Sequence, residues 1–406
     1  MHLKPTLLAS IATMLFSVVS GAQAQWVRVS NGLPQQGMTV YSLAAIDTTL
    51  MAGTDQGCYR SNDLGESWTL CSNFPANSGI SPTATIGVFA AGPKFYASSF
   101  RHLVVSSDLG TSWALDTAGL RNKYDAIGSI VGWGSMRFLA GNTGIFRSMG
   151  DGLPWEMINN GLPNGTMASG LAFVWSDVFA CTNSGVFRST DSGTSWNATS
   201  QGKPTYVITA LDTILVGGVG GPNGWLITSS DRGATWTQLY GTHYGNVLIA
   251  NDPYIFDGST DSGVYVAKDG AQHWSPAHRG LSRALISALT TSSGYLFAGT
   301  NQGSGTYPSD EGVWRMKISD IANAGVANSS SATIELSPNP TTGLITIEGA
   351  PSRAHVTVLN LLGQSVLESS EQATAFTLDL SPLAPGVYCV RIYSPLENVT
   401  RMIVRE

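Results

Sequence analysis

The chain has 406 residues, a formal net charge of −6, and only 12% Asp, Glu, Lys and Arg, about half the roughly 25% of an average soluble domain. No Lys/Arg cluster is present, which argues against nucleic acid as a partner. Its 46 glycines and 11 tryptophans suit short strands joined by many turns better than long amphipathic helices.

The first segment reads as an export signal. "MHLK" gives a short positive start, "PTLLASIATMLFSVVS" an apolar run, and Ala22-Gln23-Ala24 a small-x-small cleavage site. Residues 1–24 are expected to be removed, leaving a mature chain from Gln25. The apolar run is short of the roughly 20 residues a membrane anchor needs, and no later segment is long and apolar enough to span. Four cysteines in an exported chain permit disulfides. Cys58 and Cys71 lie symmetrically about Leu64-Gly65. If that turn joins antiparallel strands, the two face each other within reach of a bridge.

An internal repeat follows. It occurs as "RSNDLGESW" (60–68), "VSSDLGTSW" (105–113), "RSTDSGTSW" (188–196) and "TSSDRGATW" (228–236), with degraded copies "RSMGDGLPW" (147–155) and "VAKDGAQHW" (266–274). The closing tryptophans stand about forty residues apart. Two apolar runs, a third such as "GVFRS", the Asp turn and a fourth run beginning at Trp fill each unit. Four short strands per unit of this length is the signature of a β-propeller blade. Trp26 opens a fourth-strand copy with no blade before it, and "EGVWRMKI" (311–318) is a third-strand copy with none after it. The expected fold is all-β: a seven-bladed β-propeller over 25–318, closed by the N-terminal strand, which leaves no open sheet edge.

The S-x-D-x-G-x-[ST]-W pattern resembles the Asp-box, or bacterial neuraminidase repeat, of sialidases, sortilin-type receptors, xyloglucan hydrolases and photosystem assembly factors. The resemblance implies a blade hairpin and no particular activity. An Asp side chain can accept amide hydrogens from residues just ahead of it, and the spaced glycine permits a positive φ. Asp63, Asp108, Asp191, Asp231 and Asp269 are therefore expected to be structural, since nothing catalytic needs five copies.

After a small-residue polar linker (319–331), residues 332–406 hold about seven short strands, which suggests a small C-terminal β-sandwich. "SPNPTTG" (337–343), "LNLLGQSV" (359–366), "LDLSPLAPGVYCVRI" (378–392) and "RMIVRE" (401–406) resemble, in order, the type A C-terminal sorting domain of the Bacteroidetes type IX secretion system. Arg401 stands where a lysine is more usual. The resemblance implies export through the periplasm, the type IX machinery as a partner, and a secreted or surface-attached product.

Catalytic signatures such as G-x-S-x-G, H-E-x-x-H, C-x-x-C and a Walker loop are absent, and the histidines lack metal spacing. No cofactor and no metal is expected. A sialidase resemblance would require an arginine triad, whereas Arg60, Arg147, Arg188 and Arg315 occupy one repeated strand position. If the protein is an enzyme, Glu311 and Asp310 in an axial-face loop are the candidate acids, with Asp55, Asp125, Asp252 and Asp261 as further carboxylates expected at that face. The loops between blades offer Arg121, Tyr124, His243, Tyr244, Arg279 and Arg283 as candidate ligand-binding groups. The function expected is binding of a glycan or protein ligand at the cell exterior; the alternative is a carbohydrate-active enzyme.

Overall fold

The computed structural model describes residues 25–34, 37–76, 87–99, 102–120, 126–199, 203–220, 224–239, 245–259, 263–268, 270–281, 285–301, 311–321, 335–348, 354–360, 365–371, 375–393 and 398–406. The expected export signal and most of the linker lie outside them. The chain divides into two compact units, Ala24–Ile321 and one containing Ala322–Glu406.

The first unit is built from four-stranded antiparallel sheets, each a meander of consecutive strands. Val40–Ile46, Thr49–Thr54, Gly57–Ser61 and Thr69–Leu70 make one, and the last of these follows Trp68. The pattern repeats through Trp113, Trp155, Trp196, Trp236 and Trp274, and each sheet is named below by its tryptophan. The Trp26 sheet differs. Leu285–Ser292, Tyr295–Asn301 and Gly312–Lys317 are completed by Val27–Arg28 from the other end of the unit, with Val27 opposite Arg315 and Arg28 opposite Trp314.

Burial grades across each sheet and follows the residue types. Second strands such as Thr49–Thr54 and Asp177–Thr182 are apolar runs buried at every position, as a strand covered on both faces must be. The two-residue fourth strands are exposed. First strands pack against first strands in the order Val40–Ile46, Gly87–Ala91, Ile127–Trp133, Ala168–Val174, Thr205–Leu211, Gly245–Asn251 and Leu285–Ser292, and the last packs against the first. Side chains tie these neighbours together. Ser42 Oγ accepts from the Val88 amide (2.8 Å), Ser169 Oγ donates to the Tyr206 carbonyl (2.8 Å), Asn246 Nδ2 to the Ile286 carbonyl (2.9 Å) and Ser287 Oγ to the Val40 carbonyl.

Neighbouring sheets share apolar clusters between them. Phe138, Ile145 and Ile158 of the Trp155 sheet pack with Leu171, Val178, Phe187 and Trp196 of the next. Each such side chain stabilises by about 1.5–3 kcal/mol when fully buried. The unit extends a little beyond residue 318: one helical turn covers 318–321, and Ile318 and Ile321 bury their side chains at the i, i+3 spacing of one helix face.

In the second unit, Glu335–Ser337, Leu344–Glu348 and Ala375–Asp379 form a three-stranded sheet. Ala354–Leu359, Ser365–Glu371, Gly386–Tyr393 and Asn398–Arg405 form a four-stranded one. Ile345, Ile347 and Leu378 from the first share one core with Val356, Val358, Tyr388, Val390 and Ile403 from the second.

Candidate functional site

Antiparallel meanders give every sheet two distinct ends. Turns between strands one and two, and between strands three and four, emerge at one end. Turns between strands two and three, and the sheet-to-sheet connections, emerge at the other.

The repeated Asp turns join strands three and four. In the Trp196 sheet Asp191 Oδ1 accepts from the Ser189 hydroxyl (2.7 Å) and the Ser195 amide (2.9 Å), while Oδ2 accepts from the Ser195 hydroxyl (2.6 Å). Ser189 Oγ in turn accepts from the Gly193 amide at 2.7 Å. Asp63, Asp108 and Asp231 make the same bonds to Ser67, Ser112 and Thr235. Gly193 sits at φ +85, and an added Cβ would stand 2.5 Å from Ile158 of the preceding sheet, so position and conformation both demand glycine. The hydroxyl and amide of Ser112, Ser195 and Thr235 hold Asp108, Asp191 and Asp231 down to about 2. For Asp63 desolvation opposes the Ser67 bonds, and the net direction is still downward. Asp269 lies outside the described residues. In the degraded Trp155 copy Asp151 instead pairs with Lys94 (3.0 Å), and Ser148 Oγ donates to the Gly150 and Leu153 carbonyls. Among the described residues, every Asp-turn carboxylate has a hydrogen-bond or ion-pair partner.

The repeated arginines reach the neighbouring turn. Arg147 donates to the Ser192 carbonyl (2.6 Å) and Arg315 to the Leu64 carbonyl (2.9 Å). Arg188 departs from this: with Arg232 it grips Asp177 Oδ2, at 2.6 and 2.5 Å. Sequence reasoning missed Asp177, a buried acid in the second strand. The signal available was an aspartate at a place that neighbouring units fill with Thr49, Lys94 or Ile214.

At the opposite end the candidate acids behave as fasteners. Glu311 is only 8% exposed, and its Oε2 accepts from the amides of Gly37 (2.6 Å) and Met38 (3.2 Å). Its backbone carbonyl takes two bonds from the Arg28 guanidinium, at 3.1 and 3.0 Å. The Glu311 carboxylate is thus turned to the connection that follows the N-terminal strand. Asp55 accepts from the Thr39 amide at 3.0 Å, as Asn183 does from Met167 at 3.1 Å. Asp252 falls in the turn between Asn251 and Tyr254, at the Asp-turn end, which separates it from Asp55 and Glu311. Among the expected ligand groups Arg279 is exposed, and its carbonyl accepts from the Trp26 amide at 3.0 Å. Arg121, Tyr124, His243, Tyr244 and Arg283, with Asp125, Asp261 and Asp310, lie outside the described residues.

Cys58 and Cys71 stand across from each other, with the Cys71 amide donating to the Cys58 carbonyl at 2.8 Å, and both are buried free thiols. Burial, and then the neighbouring Cys71 thiol, push the Cys58 thiol well up. Among the described residues no three His, Cys, Asp or Glu side chains gather as a metal site.

In the second unit the segment around Asn339 meets the last strand. Asn339 donates to the Met402 carbonyl and accepts from the Val404 amide, both at 2.9 Å. The Thr341 amide donates to Val404 and its carbonyl accepts from Glu406, so the "SPNPTTG" segment pins the last strand. Tyr388 Oη caps the Ala384 carbonyl at 2.8 Å.

Residues 335–406 match the secretion system C-terminal sorting domain. This chain carries a type IX sorting tail. The tail directs it out of the cell or to the outer-membrane surface. No curated protein matches the chain by sequence. Solved structures resemble it in fold. YCF48 bound to D1 peptide aligns with TM-score 0.54 and 15% identity over 72% of this chain and 96% of that one. An ancestral GH74 enzyme aligns with TM-score 0.55 and 16% identity, over 73% of this chain and 51% of that one. The extracellular domain of BT4673 from B. thetaiotaomicron gives TM-score 0.55 and 10% identity, over 94% and 58%. These neighbours are β-propellers, and the tailed chain shares their architecture. Among the described residues no helix is long and apolar enough to cross a membrane.

Proposed function

We propose that the chain is an exported binding module: a signal peptide over 1–24, a seven-bladed propeller from residue 25, and a C-terminal β-sandwich that serves as the sorting tail of a Bacteroidetes-type secretion system. The circular packing of first strands and the pairing of Val27–Arg28 with Gly312–Lys317 support a ring closed by its own N-terminal strand. Two sheets around one core support the sandwich. The Asp turns act as structural Asp-boxes, each a peg that fixes a hairpin against the preceding blade.

The observation that carries binding over catalysis is Glu311, which is buried and whose carboxylate is held by two backbone amides. A general acid or nucleophile must reach its substrate, and this one faces Gly37 and Met38 instead. The exposed inter-blade loops around Arg279 are the proposed ligand face, with a glycan or protein as ligand. A glycan-hydrolysis screen of the purified mature chain tests the reading. The expected outcome is no turnover; turnover abolished by Glu311→Gln or Asp310→Asn in a variant that still folds would overturn it.

A further inference from the structure

The repeated third strands supply an internal comparison. Arg60, Arg147, Arg188 and Arg315 hold one place in them, opposite Thr69, Glu156, Asn197 and Val27 of the fourth strands. Two of the four are answered by a glutamate. Arg147 pairs with Glu156 at 3.6 Å, and Arg315 with Glu66 of the next Asp turn at 2.6 Å. Beside Arg188 both glutamate places are neutral, filled by Asn197 and Ala234. The next turn also adds a second cation, because Arg232 stands where Arg147 and Arg315 meet Ser192 and Leu64. Arg60 lacks a glutamate too, with Thr69 and Thr111 at those places, but Leu109 stands at the place of Arg232 and no charge is added.

Arg188 Nε and Nη2 and Arg232 Nη2 all donate to a single oxygen, Asp177 Oδ2. One buried carboxylate thus answers two guanidinium groups, and one positive charge is left over. The carboxylates of the flanking turns, Asp191 and Asp231, bond to Ser189, Ser195, Ser229 and Thr235. A guanidinium is planar, so binding through Nε and Nη2 leaves the Nη1 edge facing away from Asp177. Arg188 lines a cleft of about 270 Å³ whose other walls are Thr190, Asn197, Ala198 and Thr199 of its own sheet and Gly233 and Ala234 of the next turn. Arg188 is the one charged residue among these, and both neutral places face the same cleft.

We propose that this cleft binds a glutamate side chain of an acidic peptide, whose carboxylate takes the place that Glu66 and Glu156 fill in the sister sheets. The carboxylate accepts from Arg188 and Asn197, and its methylene stem rests on the methyl groups of Ala198 and Ala234. The cleft is smaller than the roughly 300–1,000 Å³ of pockets that enclose a whole small molecule, so it suits one side chain of a larger partner. Asn197–Ala198 is the outermost strand of its sheet. An open strand edge offers amides and carbonyls with which a peptide main chain, unlike a glycan, pairs as a ladder. The cleft lies at the Asp-turn end of the sheets, opposite the loops around Arg279, so this site and the ligand face proposed above can fail separately.

The test is calorimetric titration of the mature chain with hexaglutamate, hexaglutamine and hexagalacturonate, both peptides being capped so that only side chains carry charge. Hexaglutamate should bind with a Kd below about 5 mM, and hexaglutamine at least tenfold more weakly. Arg188→Gln should weaken hexaglutamate binding at least tenfold. Ala234→Glu keeps Arg188 and Asp177 and supplies the glutamate from within, as Glu66 does, so it should weaken binding by the same factor without lowering the melting temperature. The proposal is overturned if hexaglutamate does not bind at up to about 5 mM, if hexaglutamine binds as tightly, or if Ala234→Glu binds hexaglutamate as the parent does. Tighter binding of hexagalacturonate than of hexaglutamate would also overturn it, making the site one for an acidic glycan.

Discussion

The indole N–H of Trp196 donates to the backbone carbonyl of Ile158, 2.7 Å away in the preceding sheet. Trp68 reaches Val29 (2.8 Å) and Trp26 reaches Ala277 (2.6 Å) in the same manner. Trp68 and Trp196, which end Asp turns, are therefore fasteners between sheets as well as core mass. Trp196→Phe keeps the ring and removes the donor, leaving a buried carbonyl unpaired at about 1–2 kcal/mol. In a unit of this size the melting temperature should fall by roughly 2–3 °C. Trp236, whose indole nitrogen has no hydrogen-bond partner among the described residues, is the control: Trp236→Phe should melt closer to the parent.

The Asp turns give the fold an acid limit. Asp108, Asp191 and Asp231 are held at about 2, below the ordinary 3.8, foremost by Ser112, Ser195 and Thr235. A carboxylate depressed in the folded state stabilises fully above its unfolded value, and that stability is lost as pH falls through the folded one. The window is therefore from about pH 4 down to about pH 2. A variant with all three changed to Asn should melt earlier at neutral pH and lose less on acidification through that window. Equal acid sensitivity would contradict the assignment.

One turn measured alone should behave as a peg. Asp191→Ala removes acceptors for two hydroxyls and one amide on an exposed loop, a loss of about 1–2 kcal/mol after allowing for water. Thermal unfolding should shift down by a few degrees with any ligand affinity intact. Lost binding at an unchanged melting temperature would give Asp191 a functional role.

The repeated architecture was readable because it rests on local rules: the spaced glycine, the Asp turn and the tryptophan recur at fixed places, and Trp26 lacked a blade of its own. What escaped was non-local. Asp177 meets Arg232 across 55 positions, and Glu311 meets Gly37 across 274. No pattern in either segment announces such a partner. Asp252 was assigned to the wrong end because only strand direction, and not residue type, decides at which end a turn emerges.

In the sorting tail, Asn339→Ala removes both side-chain bonds to the final strand. Limited proteolysis should then cut within 398–406 faster than in the parent, while the first unit keeps its melting temperature. Cells carrying this variant should retain more of the protein in the periplasm. Unchanged protection of the last strand would show that the Thr341 contacts suffice.

The account turns on closure by the N-terminal strand, where Arg28 and Ser30 meet Glu311 and Val313. The direct measurement is thermal unfolding of the mature chain against one lacking residues 25–30. Removing Trp26, Val27 and the Arg28 anchor exposes a sheet edge and core side chains, so the first unit should melt at least ten degrees earlier, with loss of protection at the Gly37 and Met38 amides in hydrogen exchange. A truncated chain that melts with the parent and keeps those amides protected would contradict closure through this strand.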